Sequence, residues 1–118
     1  MPSPSELHEK IIASYVAEGW ALGNFRKNLN AAISAKNEGE VLIGLLGFIP
    51  DAYIIEGDTV SLLEVEGLSV IKKEKLRRVV NLWWELDGRN WFMSLTIHNM
   101  FTNAVSYVTD DMFIRVSP

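Results

Sequence analysis

The sequence contains no cysteine among its 118 residues. This absence excludes disulfide frameworks, cysteine-ligated zinc, iron–sulfur clusters and cysteine nucleophiles. A bound metal would therefore have to be held by oxygen atoms or by one of the two histidines. The sequence also lacks a glycine-rich phosphate loop, a Ser-His-Asp spacing and a His-x-x-His pair, which disfavours P-loop nucleotide hydrolysis and zinc hydrolysis.

Long apolar runs are lacking as well. The longest uncharged apolar run covers residues 41–50, which is about half of the roughly 20 residues that a membrane span requires. The opening MPSPSELHEK has neither the basic nor the apolar block of a signal peptide. We therefore expect a cytoplasmic protein without a membrane partner.

Positive charge is in deficit, with 11 Lys and Arg against 15 Asp and Glu and a net charge of −4. Non-specific binding to nucleic acid needs a broad positive field, so this balance disfavours a general nucleic-acid coat protein. It leaves a nuclease open, because a nuclease metal site itself requires acidic residues. The length and the apolar share of 48% predict one domain over residues 1–118.

The periodicity of apolar residues alternates between helix and strand. Ser3, Pro4 and Glu6 predict a helix start, Gly19 its end, and a second helix is predicted over residues 24–36. The uncharged run from Val41 predicts a strand covered on both faces. Further elements are predicted as strands over 52–55 and 59–65, a helix over 71–86, a strand over 91–97 and a last strand over 107–116. This order predicts an α/β fold with a central mixed sheet of four to five strands flanked by helices.

The strands over 52–55 and 59–65 predict a β-hairpin with a two-residue turn at Gly57 and Asp58. Residues facing each other across the hairpin then have numbers that sum to 115, which places Asp51 opposite Glu64 with close side chains. Alternation sends Glu66 to the same face as Glu64. Pro50 lacks the N–H that the next ladder bond needs, so the pairing should end beside the acids.

Two carboxylates facing each other on a sheet repel, and the repulsion grows as water is excluded. A hard divalent cation such as Mg²⁺ or Mn²⁺ neutralises such a pair and accepts water and phosphate oxygens as further ligands. We therefore predict a metal site at Asp51, Glu64 and Glu66 that orients water for attack on a phosphodiester. The alternative is that the three acids lie on a solvated face and bind no metal.

Pro50-Asp51, followed thirteen residues later by Glu64-Val65-Glu66, at the two ends of a hairpin and before a basic helix, resembles the PD-(D/E)XK, or restriction-endonuclease-like, nuclease superfamily. The resemblance implies a three-layer sandwich in which Asp51 and Glu64 hold the metal. Glu66 takes the position of the superfamily's lysine, so Lys72, Lys73 or Lys75 from the following helix would replace it. The resemblance also permits an inactive relative, and it leaves open whether Glu18, Glu38 or Glu40 adds a ligand.

The predicted helix over residues 71–86 concentrates positive charge. We expect Lys73 and Lys75 to act in catalysis and four cations to contact DNA phosphates, namely Lys72, Lys73, Arg77 and Arg78. A solvated amphipathic face is the alternative. A chain this small offers little surface to a duplex, so we expect a homodimer that cuts both strands.

Two further features have competing interpretations. His98 is a candidate general base or a structural histidine. Trp83 and Trp84 are adjacent and cannot both face one side of a helix, so one of them is expected to serve a subunit interface or to stack on an unpaired base. The leading prediction is a metal-dependent DNA endonuclease. The main alternative is a non-catalytic binding or regulatory protein, an inhibitor or assembly factor, on the same scaffold.

Overall fold

The computed structural model describes residues 3–23, 43–67 and 72–109. Within them the chain forms an α/β fold with two α-helices and a five-stranded mixed sheet. The elements in chain order are α1 (Pro4–Ala17), β1 (Ala21–Leu22), a 3-10 helix (Gly44–Leu46), β2 (Ala52–Glu56), β3 (Thr59–Glu66), α2 (Lys73–Asp87), β4 (Phe92–Asn99) and β5 (Val105–Val108). No helix in these three segments is long and apolar enough to cross a membrane.

The strands lie in chain order across the sheet, from β1 to β5. Neighbouring strands are antiparallel except β3 and β4, which are parallel. Helix α2 supplies the crossover between these two, as a parallel connection requires. Strand β3 therefore lies at the centre of the sheet. The end of the sheet that carries the predicted acids is where β3 ends and near which α2 begins.

The β2–β3 hairpin has the predicted register. Glu56 pairs with Thr59 and Ala52 with Leu63, so each facing pair sums to 115. Gly57 has a positive φ of 60° and is the only turn residue with one, which is the requirement of a type II′ turn. Strand alternation then separates the two faces as predicted: Leu62 packs on one side and Leu63 on the other.

Each helix covers one face of the sheet. The larger apolar cluster lies under α2 and joins Val79 and Trp83 to Val60, Leu62 and Leu95. The smaller cluster lies under α1 and consists of Ala52, Leu63 and Val65, with partly buried helix side chains packed on it. Because β2 and β3 are covered on both sides, polar groups at their ends lie next to apolar surface.

Helix α1 begins as predicted. Ser3 is the N-cap, and its side chain accepts the backbone N–H of Glu6 at 3.2 Å, while Pro4 stands at the first helical position. Such a cap satisfies one of the N–H groups that a helix start leaves without a partner. The helix ends at Ala17, and Gly19 follows with a φ of 109°, a backbone region that glycine enters without steric cost.

The predicted strand in the apolar run from Val41 is wrong where the structure describes it. Gly44–Leu46 forms a 3-10 turn that ends at Gly47 with a φ of 79°. Ile43 and Leu46 are fully buried, and residues three apart lie on the same side of a 3-10 turn. The turn therefore buries both of these residues while Leu45 between them stays exposed, a pattern that a run of apolar letters does not distinguish from a strand.

The other predicted elements are shifted or fall elsewhere. β4 and α2 match the predicted strand and helix to within about two residues, which is the usual uncertainty of boundaries. β5 begins two residues before the predicted last strand, and β1 was not predicted. The second helix predicted over residues 24–36 lies outside the described residues, as do residue 71 and residues 110–116.

Candidate functional site

The candidate site lies where β2 begins and β3 ends. The regular ladder stops at Ala52 and Leu63, and Asp51 comes one residue before it. The backbone N–H of Asp51 still donates to the carbonyl of Leu63 at 3.1 Å. The next bond is different, because the N–H of Val65 donates to the Oδ2 atom of the Asp51 side chain at 2.7 Å. The predicted end of the pairing beside Pro50 is therefore confirmed, and a carboxylate takes the place of a backbone acceptor.

Glu64 is the buried acid of the site, with only 2% of its side chain exposed. Its Oε2 atom lies 3.2 Å from the Nζ atom of Lys75, which reaches back from the first turn of α2. Its Oε1 atom is buried and has no hydrogen-bond partner among the described residues. Buried polar atoms are rarely left without a partner, so each one calls for an explanation.

Glu66 shares Lys75 with Glu64, as its predicted position on the same face requires. The Nζ atom of Lys75 lies 3.5 Å from Glu66 Oε1. The same ammonium lies 5.4 Å from the ring centroid of Phe48, within the range of a cation–π contact. Lys75 is thus held between two carboxylates and one aromatic ring at the mouth of the site.

The electrostatics of the site follow from this burial. Desolvation, followed by the charge of Asp51, raises the pKa of Glu64 from 4.5 to about 8, and Lys75 opposes this only in part. Burial works against the charge of Lys75, but the charges of Glu64 and Glu66 outweigh it and raise the pKa of Lys75. A carboxyl group with a strongly raised pKa beside a second acid is typical of functional sites.

Asp51 corrects the prediction that all three acids share one face. Its Oδ1 atom lies 3.3 Å from the Nε2 atom of His8, which belongs to α1 on the face opposite Lys75. Asp51 lies beyond the ladder, so strand alternation does not fix its direction, and its bond to the Val65 N–H turns the carboxylate into the plane of the sheet. Asp51 therefore connects the two faces, while Glu64 and Glu66 belong to the α2 face.

Among the predicted cations, Lys75 alone joins the acids in the described part of the chain. The side chains of Lys72, Lys73 and Arg77 are exposed and form no ion pair there. Arg78 pairs with Glu74 one turn earlier at 3.4 Å. The N-cap of α2 is Lys72, so Lys73 lies in the first helical turn but on its solvent side.

His98 is buried and has partners on both ring nitrogens. Its Nδ1 atom lies 2.8 Å from the hydroxyl of Tyr15, and its Nε2 atom contacts Oδ1 of Asn103. If the amide oxygen of Asn103 accepts, Nε2 carries the hydrogen and Nδ1 accepts from Tyr15. This full set of partners favours the structural interpretation of His98 over the general base.

The sequence analysis does not single out His8, although the structure places it beside Asp51. A signal for it exists, since His8 lies three and seven residues before Ile11 and Tyr15 and therefore on the same helical stripe. Phe48 was also missed, because the run that contains it was predicted to be a strand.

The acids of the site supply part of the ligand set that a metal ion requires. Among the described residues no group of three His, Asp or Glu side chains is placed to hold a metal ion. Mg²⁺ sites usually need only one or two protein carboxylates, because water and phosphate oxygens complete the coordination shell. The pair formed by Asp51 and Glu64 meets this requirement. The unpartnered Oε1 atom of Glu64 is the one atom in this pair with no competing hydrogen bond.

Comparison with protein-family models, with curated proteins and with solved structures finds no match to this chain.

Proposed function

We propose that the protein is a metal-dependent DNA endonuclease with a restriction-endonuclease-like three-layer arrangement, in which Asp51 and Glu64 hold Mg²⁺ or Mn²⁺. The observation that supports this most is the buried Oε1 atom of Glu64, which lacks a partner although Asp51 and Lys75 are both beside its carboxylate. A bound divalent cation would supply that partner. It would also offset the burial and the charge of Asp51, which together raise the pKa of Glu64.

The residues of the site divide the work as follows. Asp51 and Glu64 position the cation at the end of the sheet, where a bound divalent ion supplies charge neutralisation and a more acidic water molecule. Lys75, once released from the carboxylates, neutralises a phosphate oxygen of the scissile group. Glu66 lies beside it and orients the attacking water. Lys72, Lys73, Arg77 and Arg78 contact neighbouring phosphates, and two subunits act on the two strands.

Titration calorimetry with Mg²⁺ and Mn²⁺, together with plasmid nicking, tests this proposal. We expect metal binding and nicking in the wild-type protein and the loss of both in Asp51→Asn. Glu56→Gln is the matched control, because Glu56 is an exposed acid at the other end of the same hairpin, and it should behave as the wild type. Nicking that survives in both Asp51→Asn and Glu64→Gln would contradict the site.

One observation favours a second candidate, a non-catalytic binding or regulatory protein such as an inhibitor or assembly factor. Lys75 already lies within ion-pair distance of Glu64 and Glu66, so the two acids have a cation without a metal. In that case Lys75→Met would destabilise the fold, whereas Mg²⁺ would leave the melting temperature of the wild-type protein unchanged. A rise in melting temperature with Mg²⁺ that Asp51→Asn abolishes favours the nuclease.

A further inference from the structure

Segment 45–48 packs along α2 from the carboxylate site to an open groove at the far end of the helix, and we call this line of contact the seam. The segment 45–48 runs alongside α2, and three contacts mark its course. Leu45 lines a groove of about 740 Å³ with Asn81, Trp84 and Glu85, Gly47 lies against the guanidinium of Arg78, and Phe48 lies beside Lys75. The carboxylate site and the groove therefore lie at opposite ends of the line along which this segment packs on the helix.

Gly47 leaves the space that the guanidinium of Arg78 fills in the middle of the seam. A Cβ atom at this position would meet the Nη1 atom of Arg78, and the backbone has a positive φ of 79°. Glycine alone suits both conditions without strain. The guanidinium therefore lies along the path between the carboxylates and the groove, where it matches the charge of a phosphate.

The groove itself presents an aromatic ring. Trp84 is 52% exposed and Leu45 on the opposite wall is 57% exposed. Trp84 and the buried Trp83 make an edge-to-face contact with a centroid distance of 4.9 Å. This contact helps to hold the ring of Trp84 in position. The acid in the groove, Glu85, lies 3.7 Å from the guanidinium of Arg89, which reduces its repulsion of an anionic ligand.

We infer that this groove binds an unpaired nucleotide of the DNA strand whose phosphate lies at the carboxylate site, with the base stacked on Trp84. The inference rests on the proposed function and narrows its substrate to DNA that carries a single-stranded segment, such as an overhang or flap. Aromatic side chains bind bases without sequence preference, since every base has a π-face. Leu45 covers the other side of the base, and the amide of Asn81 lies within the groove to contact a base edge.

The length of the seam predicts the length of the unpaired segment. Lys75 and Trp84 are nine residues apart on one helix, which corresponds to about 14 Å at about 1.5 Å per residue. An unpaired strand that stays stacked advances about 3.4 Å for each phosphate, so about four nucleotides span this distance. Affinity should therefore rise with overhang length up to about four nucleotides and then level off.

Fluorescence anisotropy with labelled duplexes tests the inference, with Ca²⁺ in place of Mg²⁺ to limit cleavage. The duplexes carry no overhang, about two or about five unpaired nucleotides. Stacking on one aromatic ring predicts that the wild-type protein binds the longest overhang about 10-fold more tightly than the blunt duplex. Trp84→Ala should remove this preference and Trp84→Phe should retain most of it, whereas Leu45→Glu on the opposite wall should weaken it.

Phe92→Ala is the matched control, because Phe92 is an equally exposed aromatic residue that alternates with Met93 of the α2-side cluster and so faces α1. It should keep the overhang preference. The inference is overturned if Trp84→Ala binds every duplex as the wild type does, or if the wild-type affinity does not depend on the overhang. Metal-dependent nicking without overhang preference would leave the proposed function standing and reject this inference, and a protein that binds no duplex would reject both.

Discussion

Each face of the sheet buries a titratable group near the same end of the strands, but the two groups differ in how many of their hydrogen bonds are made. On the α1 face, His98 has a partner on both ring nitrogens, supplied by Tyr15 and Asn103. On the α2 face, Glu64 has Lys75 on one oxygen, and its other oxygen has no hydrogen-bond partner in the described part of the chain. A buried polar group whose hydrogen bonds are all made typically has a structural role. A buried carboxyl group that has an oxygen without a hydrogen bond and a raised pKa is a candidate for binding a ligand.

The largest expected effect separates the two faces by activity. Glu64→Gln keeps the shape of the side chain and removes its charge. Replacing a residue that only hydrogen-bonds to a metal ligand typically costs about 10- to 100-fold in metal affinity or activity. Since Glu64 is proposed as a ligand itself, we expect its replacement to reduce nicking by at least about 100-fold. His98→Leu should retain nicking within a few-fold at a temperature where it is folded. Plasmid nicking of both variants checks this, and equal losses would remove the distinction between the faces.

The next effect concerns pH. The pKa of Glu64 rises from 4.5 to about 8 on folding, so between these values the folded protein binds a proton that the unfolded chain has released. This group's contribution to stability is therefore complete below about pH 4.5 and is lost as the pH rises through about 8. The free energy of unfolding should fall by up to about 1.4 kcal/mol per pH unit in between.

Urea unfolding with a chelator present, at several pH values between these limits, measures that slope. Glu64→Gln cannot titrate and should flatten it. A slope that is the same in the wild type and in Glu64→Gln would show that Glu64 does not retain its proton on folding.

The third effect is on stability alone. His98→Leu removes two hydrogen bonds that a buried side chain makes with Tyr15 and Asn103. Each such bond contributes about 1 kcal/mol, so we expect a loss of about 2 kcal/mol in the free energy of unfolding. Chemical denaturation measures it. His8→Leu is the control, because His8 lies in the helix that covers the same face of the sheet, is partly exposed and contacts Asp51 at 3.3 Å. A larger loss for His8→Leu would reverse the assignment of the two histidines.

The sequence was sufficient where local chemistry decides the structure. A two-residue turn at Gly57 fixes the hairpin register, and with it the position of Asp51 at the end of the ladder and the common face of Glu64 and Glu66. The capping residues around Ser3 fix the start of α1. These elements depend on neighbours in the sequence, which is why their boundaries could be predicted.

Contacts between distant segments could not be predicted in the same way. Nothing near Lys75 in the sequence distinguishes it from Lys72 or Lys73, because the choice depends on how α2 rotates over the sheet. The contact between His8 and Asp51 depends on how α1 packs on the sheet. The 3-10 turn at Gly44–Leu46 depends on the burial of Ile43 and Leu46 on one side of the turn. The sequence therefore predicted which acids lie at this end of the sheet. It did not predict that Asp51 contacts the α1 face while Glu64 and Glu66 contact Lys75 on the α2 face.

The smallest effect tests whether the α1 face acts as one network. Tyr15→Phe removes the hydroxyl that lies 2.8 Å from Nδ1 of His98 and leaves that buried nitrogen without its partner, which should cost about 1 kcal/mol. Tyr107→Phe removes an exposed hydroxyl and should change stability by less than about 0.5 kcal/mol. In the His98→Leu background the partner is already gone, so Tyr15→Phe should cost close to nothing, and the difference is the coupling energy of the pair. Equal costs in both backgrounds would mean that the Tyr15 hydroxyl stabilises the fold independently of His98. That result would contradict the conclusion that both ring nitrogens of His98 have hydrogen-bond partners on the α1 face.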